Sequence, residues 1–186
     1  MAIVFCKLSA SDNKSFYFED TAAPACARCG LVTDLEWINP HFELKKKVFD
    51  LSFTYDLAAI ASERFAQFAS QRPGARFLPL PHLDAFYLMI VDPILRVDVV
   101  GAGVQFIRPC ELCGRYTQIA GVTPPPMSGE QVPMGFSRTD TVFGSARDHP
   151  DRKTSQHPLF LVDPEFGGLL EAERFSGLLV RPIEDR

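Results

Sequence analysis

Asp163-Pro164-Glu165-Phe166-Gly167-Gly168-Leu169-Leu170, followed after a polar stretch by Gly177-Leu178-Leu179-Val180-Arg181-Pro182-Ile183, reads as a helix that runs into a short terminal strand. Aspartate accepts hydrogen bonds from the unpaired N–H groups of a first turn, and proline fits the first helical position because the N–H it lacks is not needed there. Phe166, Leu169 and Leu170 supply one apolar face, which the two glycines weaken by about 1 kcal/mol each.

The same order of parts occurs earlier in the chain. From about Asp56 to Arg72 the residues Leu57, Ile60, Ala61, Phe65 and Phe68 recur at three- and four-residue steps, predicting a helix that Pro73-Gly74 ends. Gly74-Ala75-Arg76-Phe77-Leu78-Pro79-Leu80 then repeats the phrase glycine, four residues, proline, aliphatic. The echo predicts two lobes of related design, residues 1–82 and 83–186, within a single domain spanning 1–186. Chance is the alternative, because a helix, a glycine and a strand often follow one another.

Strands are expected at Ile3 to Leu8 and Ser15 to Glu19 around a Ser9-to-Asn13 turn, at Leu35 to Ile38, and at Val48 to Phe53. Phe77 to Leu80 and Leu83 to Val91 follow. Ile94 to Val100 and Val104 to Ile107 read as a hairpin over Gly101-Ala102-Gly103. Arg115 to Val122 is a further strand, and the proline-rich stretch from Thr123 to Pro158 reads mostly as loop. The expected fold is α+β, a mainly antiparallel sheet with two principal helices.

One C-x-x-C-G precedes each helix-strand unit: Cys26-Ala27-Arg28-Cys29-Gly30 and Cys110-Glu111-Leu112-Cys113-Gly114. The two-residue spacer lets both sulfurs of a motif reach one ion, and the glycine permits the backbone to turn around it. Cys26, Cys29, Cys110 and Cys113 together point to a closed tetrahedral site for structural zinc (Zn2+), with no position left for a catalytic water. The gap between motifs is far longer than in a local zinc ribbon, so the metal would join distant segments, and loop closure costs grow only logarithmically with length. Redox chemistry and disulfides are the competing uses of the same sulfurs.

The chain has 186 residues, 46% of them hydrophobic and 23% charged, which suits an ordinary globular domain. Its net charge of −4 offers no general attraction to nucleic acid. Lys45-Lys46-Lys47 reads as a solvated face. No segment has membrane-spanning length, and the N-terminus lacks the charged start and cleavage pattern of a signal peptide, so a cytoplasmic location is expected. The common nucleotide, metalloprotease and hydrolase motifs do not occur. His41, His82, His149 and His157 flank prolines and read as loop residues, Asp84, Asp92 and Asp98 as turn and edge charges, and Cys6 as a small buried apolar residue.

The two knuckles, the phrase from Phe160-Leu161-Val162-Asp163 through Gly177 to Arg181-Pro182-Ile183, and Gly135-Phe136-Ser137-Arg138-Thr139-Asp140 together resemble the bacterial double-CXXCG family. The chain lacks the proline that often sits between the cysteines there. What the resemblance implies is a non-catalytic immunity protein that binds and silences a cognate antibacterial toxin, including toxins of contact-dependent or type VI systems. An acidic protein gains association rate toward a basic partner such as a nuclease. Phe136, Asp140, Asp148 and Asp151 of the expected loop are the candidate contacts. An enzyme that reverses toxin damage and a zinc-stabilised regulatory module are the alternatives.

Overall fold

The computed structural model describes residues 3–121, 133–145 and 156–184. These form β1 (Ile3–Asp12), β2 (Leu51–Phe53), β3 (Ala59–Ser62), α1 (Glu63–Ala69), β4 (Ala75–Pro79), β5 (Phe86–Val91) and β6 (Ile94–Leu95). They continue with β7 (Gln105–Pro109), β8 (Tyr116–Ala120), β9 (Phe136–Ser145), β10 (His157–Val162), α2 (Pro164–Ala172) and β11 (Leu178–Glu184). The fold is α+β: among the described residues it is one mixed sheet in which only the β1–β2 and β6–β9 pairings are parallel, with two helices packed on it. No helix among the described residues is long and apolar enough to cross a membrane.

One connectivity is used twice in this sheet. Strands lie in the order β4-β5-β3-β2 and again in the order β11-β1-β10-β9. In each group a helix joins two strands that flank a third: α1 leads from β3 to β4 across β5, and α2 from β10 to β11 across β1. A parallel fifth strand completes both, the end of β1 on β2 and β6 on β9. The registers correspond as well. Tyr87 faces Ala61 and Leu88 faces Ile60 in one group, while Cys6 faces Val162 and Lys7 faces Leu161 in the other. The central strands are exchanged between chain halves, since β1 completes the group that holds α2 and β5 completes the group that holds α1.

Local chemistry fixes both helices in the same way. Ser62 Oγ accepts from Phe65 N–H at 3.2 Å, and Asp163 Oδ1 accepts from Phe166 N–H at 3.0 Å, so each helix start has a side-chain cap. The phenylalanine three residues past each cap is fully buried. After each helix a glycine takes positive φ, +99° at Gly74 and +81° at Gly177. A Cβ at Gly74 would press into the carbonyl oxygen of Phe136, and one at Gly177 into that of Leu51. The largest core cluster gathers Phe65 and Ala69 of α1, Phe166 and Leu170 of α2, Leu8 of β1 and Met89 of β5, so both halves share one interior.

The structure corrects several sequence expectations. Ser9 to Asn13 is not a turn: Ser9 and Ala10 continue β1 against β11, Ser11 and Asp12 against β2, and Ser15 to Glu19 is irregular. Leu35 to Ile38 forms no strand. The expected long helix from Asp56 is split, because Ala59–Ser62 is held as β3 between β2 and β5 and only Glu63–Ala69 is helical. Ladder bonds on both sides outweigh a helical repeat of apolar residues. The Gly101 turn exists, with Ala102 N–H on Asp98 O at 2.8 Å, yet its flanks share only the bond from Val104 N–H to Val99 O at 2.9 Å and build no ladder. Instead β6 joins β9, and β7 pairs with β8 around the second knuckle. The expected loop before Pro158 contains β9, which is held by β10 and β8 rather than by any apolar alternation of its own. Thr123 to Gly129 lies outside the described residues.

Candidate metal centre

Both knuckles fold by the same backbone bonds. Cys26 N–H donates to Leu31 O at 2.9 Å and Gly30 N–H to Cys26 O at 2.9 Å; Cys110 N–H donates to Arg115 O and Gly114 N–H to Cys110 O, each at 2.8 Å. Gly30 and Gly114 share a φ of +70°, the left-handed value that lets the chain double back after the second cysteine. Ala25 bridges Val32 across the first knuckle, and Pro109 faces Tyr116 across the second, where β7 and β8 supply a rigid base.

The two loops meet face to face. Cys26 Sγ lies 3.8 Å from Cys110 Sγ and Cys29 Sγ lies 3.8 Å from Cys113 Sγ. All four sulfurs fall within 4.8 Å of one another. A tetrahedron with metal–sulfur bonds of about 2.3 Å has sulfur–sulfur edges of about 3.8 Å, so one ion fits between them. Cys26 and Cys110 are buried, while Cys29 and Cys113 are half-buried. Arg28 pairs with Glu111 across the gap at 2.9 Å, and Arg115 Nη1 donates to Val32 O at 2.5 Å, tying the second loop to the first. The opposite charges in the two spacers were a sequence signal for the first of these contacts; nothing local marks the second.

The electrostatics of the cluster call for a cation. Backbone N–H groups of Cys29 and Arg28 point at Cys26 Sγ and pull its pKa down to about 6. Those of Cys113 and Leu112 lower Cys110 in the same way. Cys29 is pushed up to about 12, first by burial and then by the sulfurs of Cys26, Cys110 and Cys113. The loops thus favour a thiolate at Cys26 and at Cys110 while burial and the neighbouring sulfurs disfavour one at Cys29, a conflict that a dication between them removes.

Among the described residues, the other predicted positions do not assemble into a second site. Phe136 is fully buried, with its ring 5.1 Å from that of Phe166, and is therefore core rather than an outward-facing contact. Asp140 is exposed, but on β9 rather than on a loop, and its Oδ1 accepts from Val97 N–H at 3.0 Å and Thr141 Oγ1 at 3.1 Å. Asp148, Asp151 and His149 lie outside the described residues. His41 pairs with Asp20 at 2.9 Å, and neither it, His82 nor His157 belongs to the cysteine cluster. Asp92 binds Arg76 at 2.6 Å, Asp98 closes its own turn onto Gly101 N–H, and Cys6 is buried against Gly167.

Comparison with known proteins returns no match: no family model, no curated protein and no solved structure aligns with the chain.

Proposed function

We propose that this protein is a non-catalytic, zinc-stabilised binding protein that neutralises a cognate antibacterial toxin by forming a complex with it. The observation that carries the zinc part is the set of four sulfurs, two from each chain half, spaced for one tetrahedral ion. Four thiolates suit zinc better than hard cations, and with all four positions filled its role is to hold the halves together rather than to activate water. The toxin part rests on the resemblance of the motifs to the double-CXXCG family and on the net charge of −4. Support for a binding surface comes from the hairpin that carries the second knuckle, where Phe106, Leu112 and Tyr116 are exposed. An interface of roughly 1,600 Å² would suffice for a stable complex.

The test is native mass spectrometry of the protein isolated from its own bacterium under reducing, chelator-free conditions. One zinc together with a stoichiometric toxin fragment supports both parts. A metal-free monomer without a partner overturns them, and turnover on a toxin-modified substrate without any complex replaces the binding reading with an enzymatic one.

A further inference from the structure

Two clefts open where the strand groups meet, and they are built from corresponding positions. Ala58 and Ala59 of the β3 segment, Leu88 to Val91 of β5 and Arg138 of β9 line the first. Leu159 and Phe160 of β10, Lys7 to Ala10 of β1 and Phe53 of β2 line the second. In the pairing registers Arg138 faces Phe160 as Phe53 faces Ala59, so the first cleft carries an arginine at the position where the second carries a phenylalanine.

That exchange sets a cation into an apolar wall. Phe18, Leu35, Ala58, Met89 and Phe160 line the cleft with Arg138, and Glu36 and His157 are its other polar side chains. Arg138 is half-buried and held by one hydrogen bond, from Nε to Val91 O at 2.7 Å. Among the described residues no carboxylate stands within ion-pairing distance of its guanidinium. Glu36, which also lines the cleft, is bound to Arg76 at 3.0 Å, and Asp92 is bound to the same arginine. The planar fork of Nη groups is thus left for an acceptor brought from outside.

We propose that this cleft binds a small organic monocarboxylate, its carboxylate on the Nη groups of Arg138 and its apolar body against Met89 and Phe160. The cavity measures about 90 Å³. At roughly 10–15 Å³ for each water-sized group it holds about six to nine non-hydrogen atoms, the size of a branched five-carbon acid. A ligand so small binds with a Kd on the order of a millimolar. A single guanidinium in an apolar wall, without a second cation or a nest of backbone N–H groups, selects a carboxylate over a phosphate.

The zinc-loaded full chain, labelled at its methionine methyls, is titrated with isovalerate and with its neutral isostere isovaleramide while the Met89 methyl resonance is followed, assigned with Met89→Leu. Isovalerate is expected to shift that methyl saturably and to bind about tenfold or more tightly than the amide, because the charged hydrogen bonds are made only by the acid. Arg138→Phe, which copies the residue at the corresponding position, is expected to abolish the difference, and Arg138→Lys to weaken acid binding about tenfold by losing the fork. No saturable shift at Met89, or equal affinity for acid and amide in the unaltered protein, overturns the proposal whatever the variants do.

Discussion

Cys26 Sγ stands 3.8 Å from Cys110 Sγ although 84 positions separate the two residues in the chain. An ion held there closes a loop that spans β2 to β7, the exchanged strand β5 among them, so metal binding and folding are coupled. Because the core gathers residues of both halves without the metal, its loss is expected to loosen the protein rather than unfold it outright. Chelation, Cys26→Ser or Cys110→Ser should lower the thermal midpoint by about 10 °C. Calorimetry alongside metal analysis checks this: equal midpoints with and without one bound zinc would remove the structural role.

Two glycines should respond in opposite directions to alanine. Gly74 sits at φ +99° with the Phe136 carbonyl where its Cβ would go, so Gly74→Ala is expected to destabilise by about 2–4 kcal/mol. Gly168 lies inside α2 with open space around it, and Gly168→Ala is expected to stabilise by about 0.5–1 kcal/mol through helix propensity. Urea unfolding of both variants settles the signs, and a neutral Gly74→Ala would show that the backbone there relaxes freely.

The helix caps should also differ in worth. Ser62→Ala removes one bond to Phe65 N–H and is expected to cost about 1 kcal/mol. Asp163→Ala removes the equivalent bond and a second one, from Gly135 N–H to Oδ2 at 2.7 Å, which joins α2 to the start of β9. Its cost should be about 2–3 kcal/mol, since hydrogen bonds to a charged acceptor are worth more. Asp163→Asn should recover only part of it, because its amide has one oxygen for the two N–H donors and sets its NH2 against the other. Denaturation curves ranking Ser62→Ala as the more damaging change would contradict the doubled role of Asp163.

The features legible in the sequence were those whose causes are local. Asp163-Pro164 starts α2 because capping needs only residues within one turn, and the knuckles close because their glycines and spacers do so alone. Ala59–Ser62 carries a helical repeat yet is a strand, since its strand state depends on Leu51–Phe53 and Phe86–Val91, partners that no local window contains. β9 has no local signature for the same reason. Its Thr139 hydroxyl accepts from Leu159 N–H at 3.0 Å, a bond to a strand with no sequence neighbour in common. The repeated phrases Gly74–Pro79 and Gly177–Pro182 were visible, while the exchange of β1 and β5 between groups is a property of pairing and leaves no trace in composition. Nothing in the sequence around Arg138 sets it apart, because its significance lies in facing Phe160 where Phe53 faces Ala59.

Acid should destabilise the protein in two stages. Burial lowers the pKa of His157 to about 4, with the nearby Arg138 adding to this, although the ring accepts partial compensation by hydrogen-bonding Pro158 O at 2.7 Å. An unfolded chain binds this proton near pH 6.5, so between about pH 6.5 and 4 the unfolded state holds more protons and stability falls as pH falls. Asp50 acts lower on the scale. Burial by itself would raise its pKa, but hydrogen bonds from the Ser176 N–H, from the Ser176 and Ser62 hydroxyls, and the charge of Arg64 outweigh this and lower it. Its contribution is present above the ordinary carboxylate range and is lost as pH drops through the depressed value. His157→Gln should therefore flatten the stability profile between about pH 6.5 and 4, and Asp50→Asn should flatten it only below that window. Any contribution from protonation of the cysteine ligands is common to the parent and both variants, so it cancels when their slopes are compared. A His157→Gln profile that tracks the parent across the upper window would mean that the ring is protonated in the folded protein as readily as in the unfolded chain.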